Sequence, residues 1–408
     1  MKEPKIRFKG FSGEWKRSTL GDLALFSKGS GYSKSDICKE GTPVILYGRM
    51  YTKYQSVFDE IDTFVNPKDN SVVSKGGEVI IPGSGESSED ISLAAMVKNG
   101  GVILGGDLNI LKFNQKVNDP AFMSMAITYS PTRAELSSYS QGKTVVHLRN
   151  SEIAKGTIRY PNISEQNTIV NYVLSLDAQI SASTSRLASL KQMKAASLQA
   201  MFPQEGETMP KVRFKGFEGE WKTRSLNNYA KKRTEKNVNR IYNVTLTNSA
   251  EFGIIDQRQF FDHDISNSEN IDGYFVVRDK DFVYNPRISA SAPVGPINQN
   301  KLGYPGVMSP LYLVFEVKGI NHDFLEIYFH TALWHKYMFD NGNSGARFDR
   351  LTISDDDFMR MPIPDISLAE QQSIASFFTS LDRQIALHTQ RLEKLKQIKA
   401  ACLDKMFV

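Results

Sequence analysis

Cysteine is nearly absent from this chain: Cys38 and Cys402 are the two in 408 residues. They lie far apart and in different kinds of segment, which excludes a disulfide framework and cysteine-based metal spacing and suits a reducing compartment. Histidine is scarce as well, with six in all. The closest pair, His330 and His335, stands in the aromatic stretch "YFHTALWHKYMF", where packing accounts for them better than metal ligation. No apolar run approaches the ~18 residues that a membrane span requires. The charged start "MKEPKIRFKG" has no signal-peptide core, so a cytoplasmic protein without membrane contact is expected. A large charge excess is missing too. Net charge is +5 and the pI is near 8.9, so any nucleic-acid surface has to arise from local clustering.

What the chain does have is itself, twice. "PKIRFKGFSGEWKRSTL" from Pro4 returns as "PKVRFKGFEGEWKTRSL" from Pro210. "LDAQISASTSRLASLKQMKAASLQAMF", Leu176 to Phe202, returns as "LDRQIALHTQRLEKLKQIKAACLDKMF", Leu381 to Phe407, with about half the positions identical. Repeats of this length identify two copies of one unit, and each half is long enough to bury its own core.

Each copy reads in the same order: an aromatic-basic motif, a long divergent region, then a helical tail. In the motif, Phe8, Phe11 and Trp15 (Phe214, Phe217 and Trp221 in the second copy) are spaced irregularly around glycines, fitting neither helix nor strand. This reads as an aromatic clasp that packs a loop onto a neighbouring element; Lys5, Arg7, Lys9 and Lys16 keep open a grip on nucleic acid. The divergent regions are β-rich runs broken by Gly, Asn, Ser and Pro. "GGEVIIPGSG" (76–85) occupies the place of "DKDFVYNPRIS" (279–289), and "GGVILGGDLNILKF" (100–113) that of "GYPGVMSPLYLVF" (303–315).

The tails carry the clearest periodicity. Leu176, Ile180, Leu187 and Leu190, matched by Leu381, Ile385, Leu392 and Leu395, follow the alternating three-and-four spacing of a coiled-coil seam, interrupted by Ser183, Lys194, His388 and Lys399. "SLAE" (367–370) is a capping box in pattern, and Ser164 before "EQ" an N-cap signal. Pro161, Pro362 and Pro364 keep the preceding chain extended. A helix of about 27 residues is ~40 Å long. Two copies of one apolar stripe are most economically buried against each other, up-down across the turn "FPQEGETMP" (202–210); burial as ordinary core helices in separate domains is the alternative. The expected fold is α+β: two globular domains in tandem pseudo-repeat, separated by two long antiparallel helices forming a coiled-coil spacer. The expected limits are 1–160 for the first head, 161–209 for the central helix and linker, 210–365 for the second head and 366–408 for the last helix.

Catalytic signatures are weak. "YNPRIS" (284–289) lacks the second proline and the aromatic of an amino-methyltransferase motif, and "GSGESSED" (83–90) has neither GxGxxG order nor a Walker lysine. "DDD" (355–357) reads as the solvated start of a segment before the last helix. Neither a catalytic grouping nor a cofactor or metal site is expected.

The duplicated "RFKGFxGEWK", the "SLDxQI" and "RLxxLKQxKAAxLxxMF" tails and the "EQ" pair that introduces them resemble the DNA-specificity subunit (HsdS) of Type I restriction–modification systems, over essentially the whole chain. The resemblance implies a non-catalytic subunit with two target recognition domains that read the halves of a split double-stranded DNA target. It also implies two methyltransferase (HsdM) subunits and, in the larger complex, two restriction and translocase (HsdR) subunits as partners. It further implies that the last helix packs by the first and that the chain's ends together complete one repeat. A ~40 Å rod spans about one turn of B-DNA, and unlike heads imply an asymmetric target. The competing expectation is a protein-recruiting adaptor whose heads have no DNA sequence preference.

Base edges are read by Arg, Lys, Asn, Gln, Ser and Thr on loops able to enter the major groove. In the first head the candidates are Tyr47, Arg49, Tyr51 and Lys53 in "YGRMYTKY", and Gln141, Lys143, Thr144 and His147 in "SQGKTVVH". In the second they are Lys231, Lys232 and Arg233 in "AKKRTEKN", Arg287 and Ser289 in "NPRISAS", and Arg347 and Arg350 in "NSGARFDR".

Overall fold

The structure, a computed structural model, describes residues 3–142, 145–260, 271–343 and 349–408. The chain divides into two compact units. The first joins Met1–Thr184 to Gln390–Val408, and the second is Ser185–Thr389. The division follows from two helices longer than the duplicated tails, a central one at Ile163–Ala200 and a C-terminal one at Leu368–Met406. Each contributes its first half to one unit and its second half to the other.

In the first unit the strand Glu78–Pro82 is buried along its whole length. Its unbroken "VIIP" run suits a strand covered on both faces. It pairs antiparallel with Leu108–Phe113 and Ala95–Val97 in a five-stranded sheet. A second five-stranded sheet is built around Thr42–Ile45 and Gly100–Leu104, which run parallel. The helix Pro120–Tyr129 starts at Asp119, whose Oδ1 accepts from the amides of Ala121 and Phe122, with proline at the first position. In the second unit Phe282–Tyr284 takes the central place, between Leu313–Val317 and Ile297–Gln299. The helix His322–Phe329 is capped by Asn321, which accepts from Phe324 N at 2.9 Å. His335 packs edge-on against Trp334, with ring centroids 4.8 Å apart.

The aromatic-basic motif is a clasp in both units. Phe8 meets Tyr172 edge-on, and buried Trp15 meets Phe122. Phe214 meets Phe377, and Trp221 meets Phe202 and Phe324. Its glycines are conformational: Gly10 and Gly13 have φ of 100° and 86°, and Gly216 and Gly219 of 97° and 80°, in a region where side chains are strained. After the motif, Lys16–Thr19 and Lys222–Ser225 pair antiparallel with Thr157–Tyr160 and Pro362–Asp365, the extended segments that lead into the long helices.

Within each unit one half-helix runs antiparallel to the other. In the first, Ile169, Val170 and Val173 share a core with Cys402, Leu403 and Met406, and Lys399 Nζ meets Asp177 Oδ1 at 2.5 Å. In the second, Lys194 Nζ meets Asp382 Oδ1 at 2.6 Å, the same pair with the roles of the two helices exchanged. The polar interruptions Lys194 and Lys399 are therefore rungs between the helices. Of the seam residues, Leu176, Leu190, Leu381, Leu392 and Leu395 are buried, while Ile180, Leu187 and Ile385 are half-buried.

Two capping expectations are corrected. The central helix is capped by Asn162, whose Oδ1 accepts from Glu165 N at 3.0 Å, two residues ahead of where Ser164 would place it. At the C-terminal helix Ser367 Oγ accepts from Glu370 N at 3.2 Å, but the Glu370 carboxylate turns away to Arg213. Only half of the capping box forms, because a guanidinium is the stronger partner for a carboxylate.

The motif of one copy closes onto the tail end of the other. Lys5 and Ile6 donate their amides to Lys405 O, and Val212 donates to Ala200 O, at 2.9 to 3.1 Å. In the second unit the join is covalent through residues 201–210; in the first it is non-covalent, made by these hydrogen bonds and by the core that Phe8 and Trp15 share with Cys402, Leu403, Met406 and Phe407. A chain opened at Gly206 and closed by a short flexible link from Val408 to Glu3 is therefore expected to fold to the same two units. Its melting should stay within about 4 °C of the parent's, the shift that ~1 kcal/mol produces in domains of this size; scanning calorimetry measures it, and loss of a cooperative transition would contradict the closure.

Candidate nucleic-acid interface

In each unit the end of the central strand and the segment before the next short helix meet side by side. In the first unit Ser84–Gly85 pairs antiparallel with Val146–His147, and Leu148 N donates to Gly83 O at 3.0 Å. His147 Nδ1 lies 3.0 Å from Ser84 Oγ. Gln141 and His147 exchange backbone hydrogen bonds of 3.0 and 2.8 Å and close the loop between them. Lys143 and Thr144 of that loop lie outside the described residues.

The "YGRMYTKY" cluster is divided by its contacts. Tyr51 donates to Ser84 O at 2.8 Å, and burial pushes its hydroxyl above the ordinary tyrosine range, so it stays a protonated donor. Tyr47 lies edge-on to Tyr51 and is exposed. Tyr47, Tyr51, Gln141 and His147 thus gather around Ser84. Arg49 is turned the other way: it lies over the Phe58 ring at 5.5 Å and pairs with Asp62. Lys53 joins it on Asp62 at 2.5 Å. Hydrogen bonds from Lys53 and then Arg49 hold the Asp62 carboxyl far below the usual carboxylate range.

The second unit repeats the junction with different side chains. Ile288 N donates to Asp349 O and Leu351 N to Pro286 O, both at 2.9 Å, so Arg287 and Arg350 are bridge partners. Ser289 follows on the same loop, its Oγ 3.3 Å from Ser291 Oγ. Asn285 is a turn residue: its Oδ1 accepts from Arg287 N at 3.0 Å and its Nδ2 donates to Asn248 O at 2.9 Å. Arg347 lies outside the described residues. The "AKKRTEKN" cluster sits on the strand Ala230–Lys232, apart in sequence from these loops. Lys231 is exposed opposite Glu316, and Lys232 pairs with Asp355. Arg233 grips buried Asp281 with two bonds of 2.7 and 2.9 Å. Asp355, Asp356 and Asp357 open the short helix Asp355–Met359, which Ser354 caps.

Sequence reasoning missed the residues that hold each head in place. Arg7 donates to both oxygens of Glu165, each at 2.8 Å, and to Gly13 O at 2.7 Å. Arg213 does the same with Glu370 at 2.7 and 2.8 Å and with Gly219 O at 2.6 Å. The neighbouring glutamines reach the other way. Gln166 Oε1 accepts from Asp119 N at 2.8 Å, and Gln371 Oε1 from Asn321 N at 2.7 Å, fixing the residue that caps the head's first long helix. One buried Glu-Gln pair per unit therefore ties clasp, head and long helix together. The signal was visible as the duplicated "EQ" at matching distances from the duplicated "RFKG".

A family model described as Type I restriction modification DNA specificity domain matches this chain twice, at residues 12–192 and 218–397. None of the curated proteins compared matches it. Among solved structures, the S subunit of a Type-I restriction-modification system from M. genitalium is similar with a TM-score of 0.58 at 13% identity, over 100% of this chain and 99% of that one. The HsdS subunit from Thermoanaerobacter tengcongensis aligns with a TM-score of 0.48 at 16% identity, over 96% of each chain. A chain from a study of complex assembly and conformational transition of the type I R-M system aligns with a TM-score of 0.47 at 16% identity, over 96% of this chain and 97% of that one.

Proposed function

The chain belongs to the Type I restriction modification DNA specificity domain family, and from that membership we infer that it is the non-catalytic DNA-recognition subunit of a restriction–modification complex. Its partners are DNA and the methyltransferase and restriction subunits whose chemistry it directs. Two methyltransferase and two restriction subunits are the stoichiometry that a doubled frame favours, since each partner would meet the same surface twice. No helix among the described residues is long and apolar enough to cross a membrane, which agrees with action on DNA in the cytoplasm.

One observation carries the recognition role: the same junction of two loops occurs in both units, setting exposed His147 against buried Ser84 in one and Arg287 against Arg350 in the other. A repeated frame with unlike side chains at one place fits two unlike half-sites, and hence an asymmetric, bipartite target. Heads within 1–160 and 210–365 carry the contacts. Tyr47, Tyr51, Gln141 and His147 face the first half-site, and Lys231, Arg287, Ser289 and Arg350 the second; Lys143, Thr144 and Arg347, outside the described residues, join them on the sequence alone. Arg49, Lys53, Lys232 and Arg233, engaged with carboxylates, serve the platform instead.

The test is co-expression with the cognate methyltransferase subunit, followed by mapping of methylated adenines across a genome. A single split motif is expected, and exchanging residues 26–160 for another family member's should change one half of it and leave the other intact. Binding should weaken steeply with salt, with log K falling by about 0.9 per phosphate contact for each unit of log salt. Methylation that is sequence-random, in a complex that assembles, would instead support the adaptor reading.

A further inference from the structure

We propose that Arg287 and Arg350 act together as a guanine-reading pair, so that the half-site of the second unit contains a G·C base pair contacted by their guanidinium groups. The proposal rests on the DNA-recognition role above and goes beyond it by naming the base.

The two bonds that flank them, Ile288 N to Asp349 O and Leu351 N to Pro286 O, make Arg287 and Arg350 a directly opposed antiparallel pair of the non-hydrogen-bonded kind. In such a pair the Cα atoms approach to about 4.5 Å and the side chains are closest. Like charges so placed are destabilising.

Among the described residues little around them cancels that repulsion. Arg287 is exposed and makes no ion pair among the described residues. Arg350 has only its neighbour Asp349, at 3.8 Å. Three other arginines of this unit are neutralised closely: Arg213 holds Glu370, Arg233 holds Asp281 and Arg278 holds Glu235, with closest approaches of 2.7 to 2.9 Å. Two cations set opposite each other, one without an ion pair among the described residues and the other with only a distant neighbouring carboxylate, call for an acceptor from outside the chain.

The platform beneath them is rigid. Asn285 ties the backbone of Arg287 to Asn248, and Leu351, next to Arg350, is buried. Phosphates can be met by loosely held lysines such as exposed Lys231. A planar guanidinium fork carried on such a backbone matches the O6 and N7 acceptors of guanine, the commonest specific arginine contact. At the same junction in the first unit the pairs are Val146 with Gly85 and His147 with Ser84, so the demand belongs to one half-site only.

The experiment compares methylation motifs of the complete methyltransferase complex carrying Arg287→Ala, Arg350→Ala or the parent chain, with the exchange of residues 26–160 identifying which half belongs to which unit. Each variant should lower the preference for one G·C pair in the second half-site roughly 5- to 150-fold, leaving the first half-site unchanged. Because each substitution relieves repulsion, both variants should melt no lower than the parent; Arg287→Gln serves if the alanine variant does not assemble. An unchanged motif with uniformly weaker methylation and a salt slope smaller by about one indicates a phosphate contact and overturns base reading. An unchanged motif at full methylation, or a second half-site made of A·T pairs alone, overturns it as well. A parent complex without any motif would instead refute the recognition role itself.

Discussion

Glu370→Ala is expected to destabilise the second unit by about 3 kcal/mol, the low end of the range for breaking a buried ion pair. The Glu370 side chain is 3% exposed and meets Arg213 through two bonds, with Trp221 Nε1 donating to it at 3.3 Å. Alanine leaves a guanidinium and an indole N–H without their acceptor. The low end applies because Arg213 is 17% exposed and keeps the Gly219 carbonyl. Hydrogen exchange read by mass spectrometry should show protection in peptides of residues 211–225 and 362–378 falling roughly 150-fold, the equivalent of 3 kcal/mol, while the first unit is unaffected. Arg213→Leu combined with Glu370→Leu should recover much of the loss, since removing both charges avoids the orphan. Equal damage from the single and double variants would show that packing, not the ion pair, holds the clasp. Glu165→Ala should reproduce the effect in the first unit through Arg7.

Phe202→Ala and Phe407→Ala should each cost about 3–5 kcal/mol, the usual range for emptying a buried phenylalanine site. Phe202 is fully buried against Trp221, Phe324 and Tyr328. Phe407 is 5% exposed against Phe122 and Tyr129. Both stand just beyond the end of a long helix, yet each fills the core of the unit entered by that helix's second half. The prediction is therefore crossed. Phe407→Ala, at the chain's last residues, should loosen the first unit, and Phe202→Ala the second. Set against the 5–15 kcal/mol of a typical domain, either loss should lower the urea midpoint of its unit measurably, with Trp15 fluorescence reporting the first and Trp221 the second. Loss of both units together in each variant would contradict the assignment of these rings to separate cores.

Local signals in the sequence found the frame but not its fastenings. Helical periodicity from Leu176 and Leu381 located both long helices, and the prolines at 161, 362 and 364 marked the extended chain before them. The helices extend beyond the repeated stripe, over Ile163–Ala200 and Leu368–Met406, because their first turns are buried against a head. Capping signals were half right. Ser367 accepts its amide, but the choice between Ser164 and Asn162, and the turn of Glu370 away from its own helix, depended on partners the local pattern does not contain. The surroundings of the basic clusters likewise depend on partners distant in sequence. "YGRMYTKY" and "AKKRTEKN" look alike as charged text, yet Arg49 and Arg233 hold carboxylates in the fold, whereas Arg287 faces Arg350.

The division has one physical cause, which is range. A duplication, a helix period and a cap depend on residues a few positions apart, and the chain carries them wherever it goes; by itself it determined two copies of one frame, two long helices and a family. The partners of Arg7 and Arg213 lie 158 and 157 residues away, and the opposed arginines are brought together by two backbone hydrogen bonds between distant loops. Only closure of each unit decides which charges are neutralised within the protein and which are not.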